Sequence, residues 1–231
     1  MSKGFGTAVS LKKISKTFKA GDEKVNILNK ADLEIKEGET FAITGESGTG
    51  KSTLLHIIGT LLKPDSGKVG YFENSNIYDL SDAKLSEFRN YNIGFVFQFH
   101  YLLNEFSCLE NVAMPLYIRN EPKSKALKTA KDYLCEMGLE NRLYFKPYML
   151  SGGEQQRAAV ARALVCSPKV ILMDEPTGNL DTGHAERLHD IIINLNKKYG
   201  KTLVIVTHDK GFSDMMDHKI RITFGIIEYI N

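Results

Sequence analysis

The stretch FAITGESGTGKSTLLHIIGTLL, residues 41–62, decides the fold. Its apolar start predicts a strand, and the apolar spacing after the glycines predicts a helix from Lys51 through Leu62. Between them, residues 45–52 fit the pattern G-x-x-x-x-G-K-[ST]. A strand, a glycine loop and a helix in this order indicate an α/β sheet that binds nucleotide phosphates.

The chemistry of this loop follows from its residue types. Glycines let backbone N–H groups turn toward one point, and a helix N-terminus adds positive potential there. Lys51 is expected to neutralise the β- and γ-phosphates, and Ser52 to bind Mg²⁺. A glycine-rich turn beside a solvated lysine is the alternative, but it does not explain the flanking strand and helix. The candidate nucleotide contacts are Gly45, Glu46, Ser47, Gly48, Thr49, Gly50, Lys51, Ser52 and Thr53.

Two adjacent acids follow an apolar strand in KVILMDEP, residues 169–176. The carboxyl end of a strand is where open α/β sheets bind ligands. Successive strand residues face opposite ways, which predicts different tasks for the two acids. Asp174 is expected to hold Mg²⁺, and Glu175 to act as the general base toward the attacking water. In a chain without the glycine loop, we would interpret the same pair as a cap for the next helix.

One histidine stands at a matching place. His208 ends the apolar stretch TLVIVTH, residues 202–208, which is expected to join the same sheet. There it can hydrogen-bond the γ-phosphate or the water, so we include it with Lys51 and Glu175 among the catalytic candidates. The other histidines are assigned to helices or loops with packing or solvent roles: His56, His100, His184, His189 and His218.

The 231 residues are expected to form one nucleotide-binding domain. Its core would comprise residues 1–90 and 163–231, approximately, in which strand, helix and strand alternate as in a parallel sheet. Residues 91–162 carry helical periodicity and are predicted to form a helical insert. We expect both halves of the core to join one sheet.

Composition excludes several classes of protein. The net charge of +2 gives no general attraction to nucleic acid or anionic lipid. The start, MSKGFGTAVSLKK, lacks the apolar region of a signal peptide, and no apolar run is long enough to span a bilayer. Cys108, Cys135 and Cys166 are too widely spaced for a zinc or redox motif, so buried, reduced thiols are expected. These features predict a cytosolic protein without direct membrane insertion.

The sequence LSGGE, residues 150–154, stands just upstream of VILMDE and resembles the ATPase subunits of ABC transporters over essentially the whole chain. The resemblance implies an α/β P-loop core with an antiparallel β subdomain and an inserted helical subdomain. In that family the signature, here Ser151, Gly152, Gly153 and Glu154, begins a helix that caps the γ-phosphate of ATP bound by the other subunit. It therefore implies ATP and Mg²⁺ as cofactors and a homodimer on ATP binding.

The resemblance assigns three further residues. Gln98, after the strand IGFVF, matches the Q-loop glutamine, which contacts Mg²⁺ and senses the membrane subunit. Asp181 in GNLD matches the D-loop at the dimer interface. Phe18 occupies the place of the aromatic residue that stacks on adenine, although an ordinary core phenylalanine remains an alternative.

The stretch GFVFQFHYLLNEFSCLENVAMPL, residues 94–116, is similar to the lipoprotein-releasing ATPases of the family. That similarity implies two transmembrane permease subunits, and a peripheral position on the cytoplasmic face of the inner membrane. The alternatives are the ATPase of a macrolide or peptide exporter and an ATP-dependent signalling subunit in cell division. The apolar residues of this stretch would be helical core or a docking surface: Phe99, Tyr101, Leu102, Leu103 and Phe106. Thr60, where relatives often carry glycine, is expected to alter only local packing.

Overall fold

The computed structural model describes residues 6–21, 23–72 and 76–230. The first five residues, on which part of the signal-peptide argument rests, lie outside these ranges. Within the ranges, no helix combines the length and the apolar character that a membrane crossing requires.

The described residues form two sheets and seven α-helices. The strands are β1 Thr7–Ala20, β2 Glu23–Lys36, β3 Thr40–Thr44, β4 Ser66–Tyr71, β5 Ile93–Val96, β6 Val170–Asp174, β7 Thr202–Val206, β8 His218–Thr223 and β9 Ile226–Ile230. The helices are α1 Lys51–Ile58, α2 Asp82–Asn92, α3 Cys108–Ile118, α4 Lys123–Glu136, α5 Gly152–Leu164, α6 Thr182–Tyr199 and α7 Lys210–Ser213.

The larger sheet has the strand order β5-β6-β7-β3-β8-β9, parallel except for the edge strand β9. Every residue of β7 is buried, as expected for a parallel strand that is covered on both faces. Alternate residues of its strands pack in opposite directions. Ile171 and Ile205 belong to the cluster with the helices after β5, whereas Leu172 and Val204 belong to the cluster with α1. The larger sheet therefore packs between two hydrophobic core layers, one on each face.

The smaller sheet is antiparallel, in the order β2-β1-β4. It packs on the α1 side of the larger sheet. This sheet confirms the antiparallel β subdomain. It also corrects one expectation, because β1, β2 and β4 do not join the sheet that holds β3.

Two predicted boundaries were wrong. Residues 93–96, which we assigned to the helical insert, form β5 and pair with β6 in the parallel sheet. Helix α1 ends at Ile58 and not at Leu62, because Thr60 adopts a left-handed conformation with φ 56°. The N–H of Leu61 then bonds back to His56 O at 2.9 Å. Thr60 thus matters for backbone conformation as well as packing, which explains the usefulness of glycine there.

Two side-chain expectations also need correction. Cys108 and Cys166 are buried, but Cys135 is exposed on α4. His218 begins strand β8 and lies 4.6 Å from the Phe41 ring, between centroids, so it is not in a helix or loop.

The start of α3 depends on one buried amide. Ser107 caps the helix in a reciprocal pair with Glu110. One turn later, Asn111 is 1% exposed and accepts from Leu103 N at 2.7 Å. Its Nδ2 donates to the carbonyls of Leu103, Phe106 and Ser107. This side chain therefore orders the loop that leads into α3.

Replacing this amide should destabilise the protein. Asn111→Ala leaves buried backbone groups without partners, and we expect it to lower the free energy of unfolding by about 2–3 kcal/mol. Denaturant unfolding checks the value, with Asn194→Ala on the exposed face of α6 as the control. Equal stability of the two variants would contradict the role given to Asn111.

Candidate nucleotide site

A cleft of about 480 Å³ opens at the carboxyl edge of the parallel sheet. It brings together most of the residues that the motifs predict. The residues that line it are Phe18, Ile27, Gly45, Ser47, Gly48, Gly50, Lys51, Ser52, Thr53, Gln98, Asp174, Glu175, Val206 and His208. Glu46 and Thr49 lie in the same loop but line a neighbouring pocket.

The loop between β3 and α1 requires glycine at two positions for two separate reasons. Gly45 and Gly50 have φ values of 137° and 101°, which side-chain residues rarely adopt. A Cβ atom at Gly50 would also lie 2.5 Å from Cγ2 of Ile27, and one at Gly45 would lie 2.9 Å from Ile222 O. The loop therefore keeps its backbone open to the cleft, as a phosphate cradle requires.

Lys51 folds onto this loop, where its Nζ donates to Gly45 O at 2.9 Å and to Glu46 O at 2.7 Å. These carbonyls hold the ammonium group beside the N-terminus of α1. A bound phosphate would compete for the same donor, so the lysine is already positioned next to its expected partner.

Ser52 and Asp174 come together although they are 122 positions apart in the sequence. Ser52 Oγ donates to Asp174 Oδ1 at 3.1 Å. A hydroxyl and a carboxylate are hard oxygen ligands that suit Mg²⁺, which usually completes its shell with water and substrate phosphates. In the described part of the chain, no cluster of three or more His, Cys, Asp or Glu could hold a metal alone. The chemistry of these two oxygen ligands is compatible with the magnesium role predicted for Ser52 and Asp174.

Glu175 and His208 form the second polar pair of the cleft, with His208 Nδ1 2.8 Å from Glu175 Oε2. Glu175 has φ 46°, so the chain turns immediately after β6. This turn corrects the alternation argument: Asp174 and Glu175 both line the cleft and do not point to opposite faces. Their hydrogen-bond partners differ, since Asp174 accepts from Ser52 and Glu175 contacts His208. His208 lies two residues beyond the end of β7.

Phe18 and Gln98 lie at the border of the cleft. Phe18 is 42% exposed, which excludes the alternative of a core phenylalanine. Lys16 Nζ lies 5.5 Å from its ring centroid. Gln98 is exposed, and its carbonyl accepts from Asn179 Nδ2 at 3.2 Å.

The signature stands apart from this cleft. Ser151 caps α5 and forms a reciprocal capping pair with Glu154. Arg142 Nε donates to Glu154 Oε1 at 2.8 Å and fixes that carboxylate. Of the residues that the structure describes, none from Ser151 to Glu154 lines the cleft, and Asp181 does not line it either. The structure thus separates two groups of predicted nucleotide contacts.

Asp181, the predicted D-loop residue, is linked to the signature through His184 instead. Asp181 caps α6 and lies 2.7 Å from His184 Nδ1. The side-chain hydrogen bond from His184 holds the pKa of Asp181 below its ordinary value. The His184 ring packs against Gly153, where an added Cβ would lie 3.0 Å from Cδ2. Ser151, Gly153, Asp181 and His184 therefore belong to one surface.

Three partners of the signature were not predicted from the sequence: Arg142, His100 and His184. Arg142 and His100 contact it from distant positions, so no local pattern marks them. His184 could have been found, because an Asp-x-x-His spacing at a helix start places the histidine within reach of the capping carboxylate.

Comparison with known proteins agrees with this geometry. The family model described as ABC transporter matches residues 28–178. The chain belongs to the ABC transporter family. It is 50% identical over 212 residues to the lipoprotein-releasing system ATP-binding protein LolD of Geobacter metallireducens, covering 92% of this chain and 94% of that one. It is 43% identical to LolD of Shewanella frigidimarina, covering 100% and 96%.

Solved structures give the same result. The dimeric ABC transporter cassette MJ0796 superposes with a TM-score of 0.88 at 42% identity, covering 95% of this chain and 96% of that one. A dimeric post-hydrolysis state of MJ0796 bound to ADP and Pi also has a TM-score of 0.88, at 40% identity, with coverage of 96% and 99%. The chain is therefore an ABC ATPase with the expected P-loop fold.

The lysine of this ABC ATPase gives a direct test of the cleft. Lys51→Ala removes a charged donor from the loop, and we expect it to weaken ATP binding roughly 10- to 100-fold. Titration with a fluorescent ATP analogue measures the change. Lys84→Ala, an exposed lysine on α2, is the control that should bind like the unmodified chain. Unchanged binding by Lys51→Ala would place the nucleotide elsewhere.

Proposed function

We propose that this chain powers a membrane permease that releases lipoproteins from the bacterial inner membrane, and that it works as an ATP-closed homodimer. The observation that carries the dimer is the separation of the signature from the cleft. Lipoprotein release is supported by near full-length similarity to LolD proteins at 43–50% identity. The partners would be two permease subunits of the LolC and LolE type, with this chain peripheral on the cytoplasmic face.

The dimer would complete each nucleotide site from two chains. One chain supplies the glycine loop, Asp174 and Glu175, and its partner supplies Ser151 at the N-terminus of α5. A helix start with a serine cap suits the negative γ-phosphate, since backbone N–H groups and the helix dipole point toward it. The dimeric state of the similar cassette MJ0796 supports this arrangement.

Within each site, the residues of the cleft divide the work. Lys51 and the loop N–H groups would hold the phosphates, while Phe18 offers its exposed face to the base. Ser52, Asp174 and Gln98 would hold Mg²⁺, which when bound neutralises the phosphate charge. Glu175 would accept a proton from the attacking water, and His208 would fix the carboxylate or contact the γ-phosphate.

The surface after Gln98 supports a permease partner. Phe99 and Tyr101 are 61% and 63% exposed, and Leu103 and Phe106 are also exposed. Only Leu102 of this set packs against the core. Exposed aromatic and aliphatic side chains in one segment are typical of a protein interface. We assign this segment to the docking of the permease.

Blocking hydrolysis should trap the closed dimer. Glu175→Gln removes the proposed base but keeps the size of the side chain, so MgATP should hold two chains together without being consumed. Sedimentation with saturating MgATP should show a dimer for this variant. The control is Glu87→Gln, at an exposed position of α2, which should return to monomer as ATP is hydrolysed. A variant that stays monomeric would contradict the proposed sandwich.

Affinity purification from gently solubilised membranes tests the cargo. Lipoprotein-release permeases, identified by mass spectrometry beside the tagged chain, would support the proposal. If a macrolide or peptide exporter or a cell-division protein is found instead, the chain remains an ABC ATPase, but the assignment to lipoprotein release is wrong.

A further inference from the structure

The segment that follows Gln98 is fastened to helix α5. Arg162 donates from Nη2 to His100 O and from Nη1 to Tyr101 O, each at 2.7 Å. One and a half turns earlier on α5, Gln156 Nε2 lies 3.5 Å from Phe97 O. These bonds join residues 59–62 positions apart in the sequence. The segment and the helix that carries the signature are therefore one connected unit.

His100 makes a contact in the opposite direction. Its Nε2 lies 3.0 Å from Gly152 O. A carbonyl oxygen only accepts, so Nε2 carries the hydrogen and donates it. Burial lowers the pKa of His100 below its ordinary value, which favours the neutral form of the ring. Gly152 is the first residue of α5 and follows the capping Ser151. The ring thus contacts the backbone of the signature itself.

The segment around His100 depends on these bonds for its shape. Its neighbours Phe99 and Tyr101 are mostly exposed, so their burial contributes little. Tyr101 also has φ 46°, a left-handed conformation that is unfavourable for a residue other than glycine. Hydrogen bonds from Arg162 to the adjoining carbonyls offset that strain. The hydrogen bonds from Arg162 therefore fix the backbone that places the His100 ring against Gly152.

We propose that His100 is a positioning residue for the signature: its ring holds the carbonyl of Gly152 and so sets where Ser151 meets the nucleotide on the partner chain. This inference rests on the proposed ATP-closed homodimer. The proposal distinguishes ATP binding by the monomer from closure of the dimer, because His100 does not line the cleft of its own chain. Loss of the ring donor should spare ATP binding by the monomer and weaken closure of the dimer.

The test compares three side chains at position 100 in the Glu175→Gln background. His100→Phe keeps a planar ring but removes the donor, and His100→Gln keeps an amide donor at similar reach. For His100→Phe we expect unchanged ATP affinity of the monomer and a dimer dissociation constant raised roughly 10- to 100-fold, because each dimer contains two such contacts. His100→Gln should restore most of the dimer. Fluorescent-nucleotide titration and sedimentation at several protein concentrations measure the two constants.

Each outcome decides between the two proposals. If the Glu175→Gln parent does not dimerise with MgATP, the proposed function fails. If the parent dimerises and His100→Phe dimerises equally well, only the role of His100 fails. The same conclusion follows if His100→Gln is as weak as His100→Phe, since the donor is then not what matters. Circular dichroism checks folding, and His100→Glu, which has no donor when ionised, replaces His100→Phe if that variant is unfolded.

Discussion

The parallel register of β3, β7 and β6 brings three strand ends to one edge of the sheet. Ile43 pairs with Val206, and Val206 pairs in turn with Asp174. The glycine loop, His208 and Glu175 leave from these adjacent ends. A one-residue slip of any of these strands would move its side chains from one core layer to the other, so packing on both faces enforces the register. The cleft therefore inherits its geometry from the packing of the sheet.

The same sheet cannot supply the signature. Ser151 stands at the start of α5, and its surroundings are Glu154, Arg142 and the D-loop surface around His184. The backbone N–H groups at a helix N-terminus favour a negatively charged group such as a phosphate. Cleft and signature are thus two places that suit a phosphate, and they lie apart on one molecule. In the proposed dimer, a symmetric pair of chains would bring the cleft of each chain to the signature of the other.

Sequence alone predicted the parts of the site that local pattern encodes. The glycine loop and the acids after β6 each occupy a few consecutive residues, and the helix start at Ser151 came from the family resemblance. Sequence alone did not predict that α1 ends at Ile58, where Thr60 is left-handed and Gly59 packs against the ring of Phe95, a residue far from it in the sequence. Nor did it predict the turn at Glu175 or the bond between His100 and Gly152, whose residues are 52 positions apart. These features arise from packing, which a motif does not record.

Complementation between two defective chains tests most directly whether each site needs two copies. One chain carries Lys51→Ala and an intact signature, and the other carries Ser151→Arg and an intact cleft. ATP hydrolysis is measured for each chain alone and for the mixture, under conditions in which the unmodified chain turns over. The account predicts two inactive proteins and an active mixture, because a mixed pair contains one complete site. A mixture as inactive as its components would contradict it.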